Sequence, residues 1–166
     1  NGTHYVAGDK IVVTILLKDS KGNPLTLADL KRANLYMNGP RYMIKNKTAA
    51  ALLKADTDRT KTPHHYIDLK TTTNPNLVVA GSKLTYTLEP VTTEDPGTYT
   101  VGFWSEVDGS PLDQVFELKD LQIGTATAEA LITDGCKDCH QGAANKKMYL
   151  HHIDPGYSPW GNPSID

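Results

Sequence analysis

The chain has 166 residues, of which 39% are hydrophobic and 22% are charged, a composition typical of a globular protein. Its formal net charge of −2 at pH 7 argues against nucleic acid as a main partner, because phosphate binding needs a concentrated basic face. No apolar run approaches the roughly 18 residues of a membrane-spanning helix. The longest run, Ile11 to Leu17, is interrupted by Thr14 and has the length of a strand.

Strand patterns dominate the chain up to residue 124. β-branched and alternating apolar residues, separated by turns rich in Gly, Pro and Asn, predict strands at Lys10–Lys18, Arg32–Met37, Tyr66–Lys70, Lys83–Glu89, Thr98–Ser105 and Gln114–Leu118. In the fourth of these, Leu84, Tyr86 and Leu88 share one face. Short strands at this spacing favour a mainly β fold, and more specifically a β-sandwich.

Two short segments of the same region favour helix. Leu25–Arg32 has the length of one or two helical turns, and Thr48–Ala55 is rich in good helix formers. Both interrupt the strand pattern without replacing it, so we expect short connecting helices between strands.

A turn before the fifth predicted strand narrows the fold class. Asp95, Gly97 and Tyr99 fit the D-x-G-x-Y turn that precedes strand F of immunoglobulin-like domains. In that turn the tyrosine hydroxyl bonds back to the backbone a few residues upstream. The sequence therefore predicts an immunoglobulin-like β-sandwich over residues 1–124, with Tyr99 as the corner residue.

The composition changes after Gly124. The link Thr125–Ile132 is rich in alanine, and Asp154–Asp166 contains three prolines and cannot form one regular element. We expect residues 125–166 to form a small, irregular or short-helical segment.

The two cysteines of the chain stand three positions apart, in Cys136-Lys137-Asp138-Cys139-His140. They cannot connect distant parts of the fold, so a disulfide framework is excluded. The pattern C-x-x-C-H is the attachment site of c-type haem. Cys136 and Cys139 would form thioethers with the two vinyl groups, and His140 would ligate the iron from beneath the ring.

Two other readings of the motif are weaker. A thioredoxin-type pair needs a βαβ setting, which the sequence does not show. A zinc site made of Cys136, Cys139 and two histidines is disfavoured because such sites usually comprise two well-separated ligand pairs, whereas His140 adjoins Cys139.

The residue on the opposite face of the haem decides its chemistry. His151 and His152 follow His140 by eleven and twelve residues, enough chain to pass round the haem edge. Only one of two consecutive residues can face the iron, and we favour His152 over His151, with Met148 as the alternative. Two histidine ligands give a low potential and no open coordination site, which fits electron relay.

The doublet His64-His65 follows Pro63 in an expected loop. Such a pair is most often exposed to solvent. Its functional alternative is to offer a ligand to the haem of another chain.

A β-domain that leads through an Ala-rich link into one C-x-x-C-H motif and a histidine-bearing stretch resembles the start of extracellular cytochromes of the OmcA/MtrC type. The resemblance implies an exported protein that passes electrons to extracellular acceptors. The family carries many haem motifs and this chain carries one, so each electron must hop to a centre on another molecule, either a redox partner or another copy of the chain.

We therefore expect an exported monohaem c-type cytochrome for electron transfer, with no catalytic residues and one haem c covalently attached to the segment of residues 125–166. It would act either as a single carrier or as a subunit of a polymer in which the haems of neighbouring copies stack. The chain begins at Asn1 rather than Met, which fits a processed protein whose signal peptide has been removed, at the cell surface, outside the cell or in the periplasm. The alternatives are a haem protein with an open or labile sixth position, such as a peroxidase or gas sensor, and an assembly or adhesion module built on the β-sandwich.

Overall fold

A computed structural model describes residues 3–40, 46–54, 66–71, 73–107 and 114–128. These ranges contain one short α-helix, α1 (Asn46–Leu53), and one 3-10 turn, Leu27–Asp29. The strands are β1 (Val12–Leu16), β2 (Leu30–Asn38), β3 (Tyr66–Asp68), β4 (Leu77–Ala80), β5 (Lys83–Thr87), β6 (Gly97–Val107) and β7 (Gln114–Ile123). The prediction of a mainly β fold is confirmed.

The strands form two antiparallel sheets. One has three strands in the order β1-β5-β4, and the other has four in the order β3-β2-β6-β7. Of the strands in the described ranges β6 is the longest, and it pairs along most of its length with both β2 and β7. Close to the N-terminus, Tyr5 forms a parallel bridge with Ile123 at the end of β7.

Buried side chains from both sheets belong to one hydrophobic core. The three-stranded sheet contributes Leu84 and Tyr86, both 0% exposed, and Leu88, which follows β5, is 1% exposed. The predicted shared face of these three residues is confirmed. The four-stranded sheet contributes alternate residues of β2 and β6, including Leu35 and Tyr99.

Helix α1 covers one end of this core. Its alanines and leucines at positions 49, 50, 52 and 53 are all buried. Lys54, directly after the helix, adopts a left-handed conformation with φ of 57°. The Tyr86 hydroxyl donates a hydrogen bond of 2.6 Å to the Leu53 carbonyl, which satisfies one of the helix-terminal acceptors. The predicted helix at 48–55 is therefore present, two residues earlier than expected.

β4 was not predicted from the sequence. Its segment follows Asn74-Pro75-Asn76, which reads as a turn, and it has only four residues. Val78 and Val79 are 60% and 49% exposed, so the strand lacks the alternating burial that a period of two would reveal.

The corner at Tyr99 has the predicted hydrogen bond. The fully buried Tyr99 side chain donates from its hydroxyl to the Asp95 carbonyl at 2.7 Å. Burial, and secondarily the Asp95 charge, raise the pKa of this phenol well above its usual value. The Asp95 carboxylate in turn accepts a 2.5 Å hydrogen bond from the Thr48 hydroxyl on α1. The corner thus connects the start of β6 to the helix.

Replacing Tyr99 with Phe keeps the ring but removes the hydroxyl. We expect the free energy of unfolding to fall by about 1–2 kcal/mol, because the half-buried Asp95 carbonyl loses its donor. Urea unfolding at pH 7 measures the change, with Tyr5→Phe as the control because Tyr5 is 37% exposed. Equal stabilities of the two variants would contradict the structural role of the corner.

Gly39 approaches the same ring. It has φ of +138°, and a Cβ at this position would lie 2.6 Å from Cδ1 of Tyr99 and 2.9 Å from its Cα. We expect Gly39→Ala to destabilise the fold by more than ~2 kcal/mol, since both the backbone conformation and the space disfavour a side chain.

Gly22→Ala is the matched control for that substitution. Gly22 also has a positive φ, of +87°, but no atom lies within 4 Å of its added Cβ. A thermal unfolding midpoint for Gly39→Ala no lower than for Gly22→Ala would show that the contact with Tyr99 is not restrictive.

Candidate functional site

The haem motif and its candidate distal ligands lie outside the described residues. This applies to every residue that the sequence singled out for the site: Cys136, Cys139, His140, Met148, His151, His152, His64 and His65. The roles assigned to them remain predictions. What the structure provides is the β-domain from which the motif-bearing segment extends.

The exit point of that segment is held in place by the N-terminal residues. The Tyr5 amide donates to the Gln122 carbonyl at 2.8 Å, and the Gly124 amide donates to the Tyr5 carbonyl at 2.9 Å. Gly124 has φ of +69°, and an added Cβ would lie 2.9 Å from Pro96. The link therefore begins beside the loop that carries the Tyr99 corner, at the end of β7.

The described ranges hold no cluster of three or more His, Cys, Asp or Glu side chains suited to a metal ion. His4 is the one histidine within them, and its Nδ1 lies 3.2 Å from the Thr3 hydroxyl. Nor do these ranges contain a helix with the length and apolarity needed to cross a bilayer.

A groove of about 600 Å³ opens between the edges of the two sheets. Its apolar floor comprises Ile11 and Val13, at β1, and Val101 and Leu121, from β6 and β7. Its rim is polar and carries His4, Asp9, Lys119, Asp120 and Gln122. The groove combines an apolar interior with a mixed-charge border, and one of its walls is a strand edge.

A cluster of aromatic side chains, the outer cluster, lies on the outer face of the four-stranded sheet. The Tyr36 ring is 6% exposed and lies 5.3 Å from the Tyr66 ring and 6.3 Å from the Trp104 ring, centre to centre. Leu118 packs against Tyr36 from β7. Burial is the main cause that raises the pKa of Tyr36, and a 3.3 Å hydrogen bond from Asn34 opposes it.

Charged side chains complete this outer cluster. The Arg32 guanidinium lies 3.9 Å from the centre of the Trp104 ring, in cation–π contact. Its Nε is 3.8 Å from the carboxylate of Glu106, which is 8% exposed and also lies 3.6 Å from Lys31 Nζ. The nearly buried carboxylate is thus neutralised by two cations, and the cluster is a small packed core rather than an open binding site.

Comparison with known proteins gives no match to a family model, to a curated protein or to a solved structure.

Neither the groove nor the outer cluster was predicted from the sequence. The alternating pattern of β2 could have predicted the outer cluster. Every second residue belongs to the core, and the residues between them, Arg32, Asn34 and Tyr36, therefore share the outer face. No sequence pattern could have predicted the groove, since its lining comes from residues 3–14, 101 and 119–122, which are distant in the sequence.

We expect Arg32→Ala to lower the free energy of unfolding by about 1–2 kcal/mol, because it removes both the cation–π contact and one neutralising charge at Glu106. Lys31→Ala is the matched control. Its side chain is 60% exposed, so we expect at most ~0.5 kcal/mol. Equal losses in urea unfolding would show that Arg32 acts only as a surface charge.

Proposed function

We propose that this chain is a monohaem c-type cytochrome that transfers electrons outside the cytoplasm. The observation that carries the proposal is the sequence Cys136-Lys137-Asp138-Cys139-His140. It contains both cysteines of the chain, in the spacing that covalent haem attachment requires. No other use of two cysteines at this distance fits the surrounding sequence as well.

The donor set fits haem chemically. Thiols at positions 136 and 139 supply the two thioethers, and the imidazole of His140 supplies a nitrogen ligand to iron. The haem, when bound, supplies reversible one-electron exchange. The chain's own contribution is to attach the cofactor, fix its axial ligands and set how far its edge is exposed to water and to partners.

We assign His152 as the distal ligand, with His151 and Met148 as alternatives. Two imidazoles leave no open coordination site for a substrate, so the proposed role is electron relay without catalysis. Because one haem cannot form a conductive path alone, the proposal requires a redox partner, an extracellular acceptor or further copies of the chain. His64 and His65 would then be available as ligands between chains.

We further propose that the β-domain is an immunoglobulin-like sandwich. The order β1-β5-β4 corresponds to strands B-E-D, and β3-β2-β6-β7 corresponds to C′-C-F-G of that fold. In this correspondence Tyr99 stands at the start of strand F, where the tyrosine corner belongs, and its hydroxyl bond to Asp95 supports the assignment. The domain would serve as scaffold or docking surface for the haem segment.

Visible spectroscopy of the chain, exported from a host that matures c-type cytochromes, tests the proposal. We expect a six-coordinate, low-spin haem spectrum that carbon monoxide does not change in the reduced state. Replacing both cysteines with alanine should abolish covalent haem. A carbon monoxide adduct of the unaltered chain would contradict the relay role and favour an open-site haem protein.

Separate substitutions identify the distal ligand. We expect His152→Ala to shift the spectrum towards high spin and to admit carbon monoxide, and we expect His151→Ala, its neighbour and control, to leave the spectrum unchanged. The reverse result would assign His151, and no change in either variant would direct attention to Met148→Ala or to a ligand from another chain.

A further inference from the structure

The outer edge of β1 has backbone groups that face away from the sheet. Ile11 and Leu17 flank β1, and their backbone groups face β5. The Ile11 carbonyl accepts a hydrogen bond of 2.8 Å from the Leu88 amide, and the Leu17 amide donates one of 2.9 Å to the Ser82 carbonyl. Antiparallel pairing alternates, so the N–H and C=O groups of Val12, Thr14 and Leu16 point to the opposite side. The backbone hydrogen bonds of the described residues do not use these groups.

The side chains beside this edge are apolar and exposed. Val12 is 54% exposed and Leu16 is 62% exposed, and both stand on the outer face of the sheet, beside Thr14. On the inner side, the first half of β1 borders the groove of about 600 Å³, whose floor includes Val101 and Leu121. A strand laid along β1 would therefore hydrogen-bond to its edge and place alternate side chains into the groove.

The charges that flank β1 indicate what such a strand would carry. Lys10 and Lys18 are exposed and lie on the same side of the strand as Val12 and Leu16. Neither forms a salt bridge within the described ranges, and Lys10 is near enough to Glu89 for its charge to help lower the pKa of that carboxyl. In the register of greatest overlap, two antiparallel copies of β1 would place Lys10 of each copy opposite Lys18 of the other. Like charges in that position are destabilising, so this edge is better suited to an acidic partner than to itself.

We infer that the β1 edge is a docking site for an extended segment of a partner protein, with alternating apolar residues between flanking carboxylates. The segment would add a fourth strand to the sheet β1-β5-β4. This inference does not depend on the haem proposal, since its residues all lie in the β-domain.

The test uses the full-length protein and a fluorescent synthetic peptide, long enough to reach from Lys10 to Lys18, in which valine and threonine alternate between glutamates at both ends. A peptide with lysines at both ends is its control. We expect saturable binding of the glutamate peptide, at least about tenfold tighter than that of the lysine peptide. The double variant Lys10→Glu, Lys18→Glu should reverse this preference.

Thr14→Pro probes the strand pairing itself. It removes an N–H that faces the groove rather than β5, so the β1–β5 hydrogen bonds remain, and we expect at least about a tenfold loss of peptide affinity. Thr14→Ala keeps the N–H and should bind normally. If Thr14→Pro fails to fold, the charge-reversal variant still decides the question.

Three results would overturn the inference: no saturable binding, equal affinity for both peptides, or no reversal of preference in the charge-reversal variant. Self-association that increases with protein concentration and is removed by Thr14→Pro would also overturn it, because a second copy would then be the occupant.

Discussion

Two buried tyrosines constrain how the sheets pack. Tyr86 and Tyr99 have 0% exposure, and a phenol hydroxyl without an acceptor would make such burial costly. Each hydroxyl instead donates to a backbone carbonyl, Tyr86 to Leu53 and Tyr99 to Asp95. The first bond fixes the end of α1 against β5, and the second fixes the turn that begins β6. The Thr48 hydroxyl on α1 donates to the Asp95 side chain in that turn, so the helix is connected to both sheets.

The pKa of Tyr86 reflects this environment. Burial, with a smaller contribution from Glu89, raises it to about 12, so the neutral phenol is the form that the core accepts. Its ionisation in the unfolded chain begins near its ordinary pKa, about 10. The preference of the folded protein for the neutral Tyr86 phenol therefore contributes fully to the free energy of unfolding below pH 10. That contribution declines as the pH rises through the pKa of the folded state.

The sequence predicted those parts of the fold that depend on local patterns. Alternation identified the face shared by Leu84, Tyr86 and Leu88, and the turn chemistry before Tyr99 identified a hydrogen bond that the structure contains. β4 escaped prediction because both Val78 and Val79 are exposed at a sheet edge, where burial does not alternate. The groove also escaped prediction, because its lining comes from residues 3–14 and from residues 101 and 119–122, which are far apart in the sequence and meet only in the folded chain.

The candidate haem site, unlike the groove, can be predicted from consecutive residues. Covalent attachment needs five consecutive residues and no particular fold, so the sequence alone can predict it. The choice among His151, His152 and Met148 depends on how the chain turns around the cofactor, and no local pattern encodes that turn. The β-strands and the proposed haem segment meet at Gly124, which lies close to Pro96 at the start of the link.

The most direct test of the central claim is the mass of the exported chain under denaturing conditions. The account predicts a single species heavier than the polypeptide by one haem, and the loss of that added mass when Cys136 and Cys139 are both replaced. A polypeptide of unmodified mass, or one that binds zinc in stoichiometric amount at these cysteines, would contradict it.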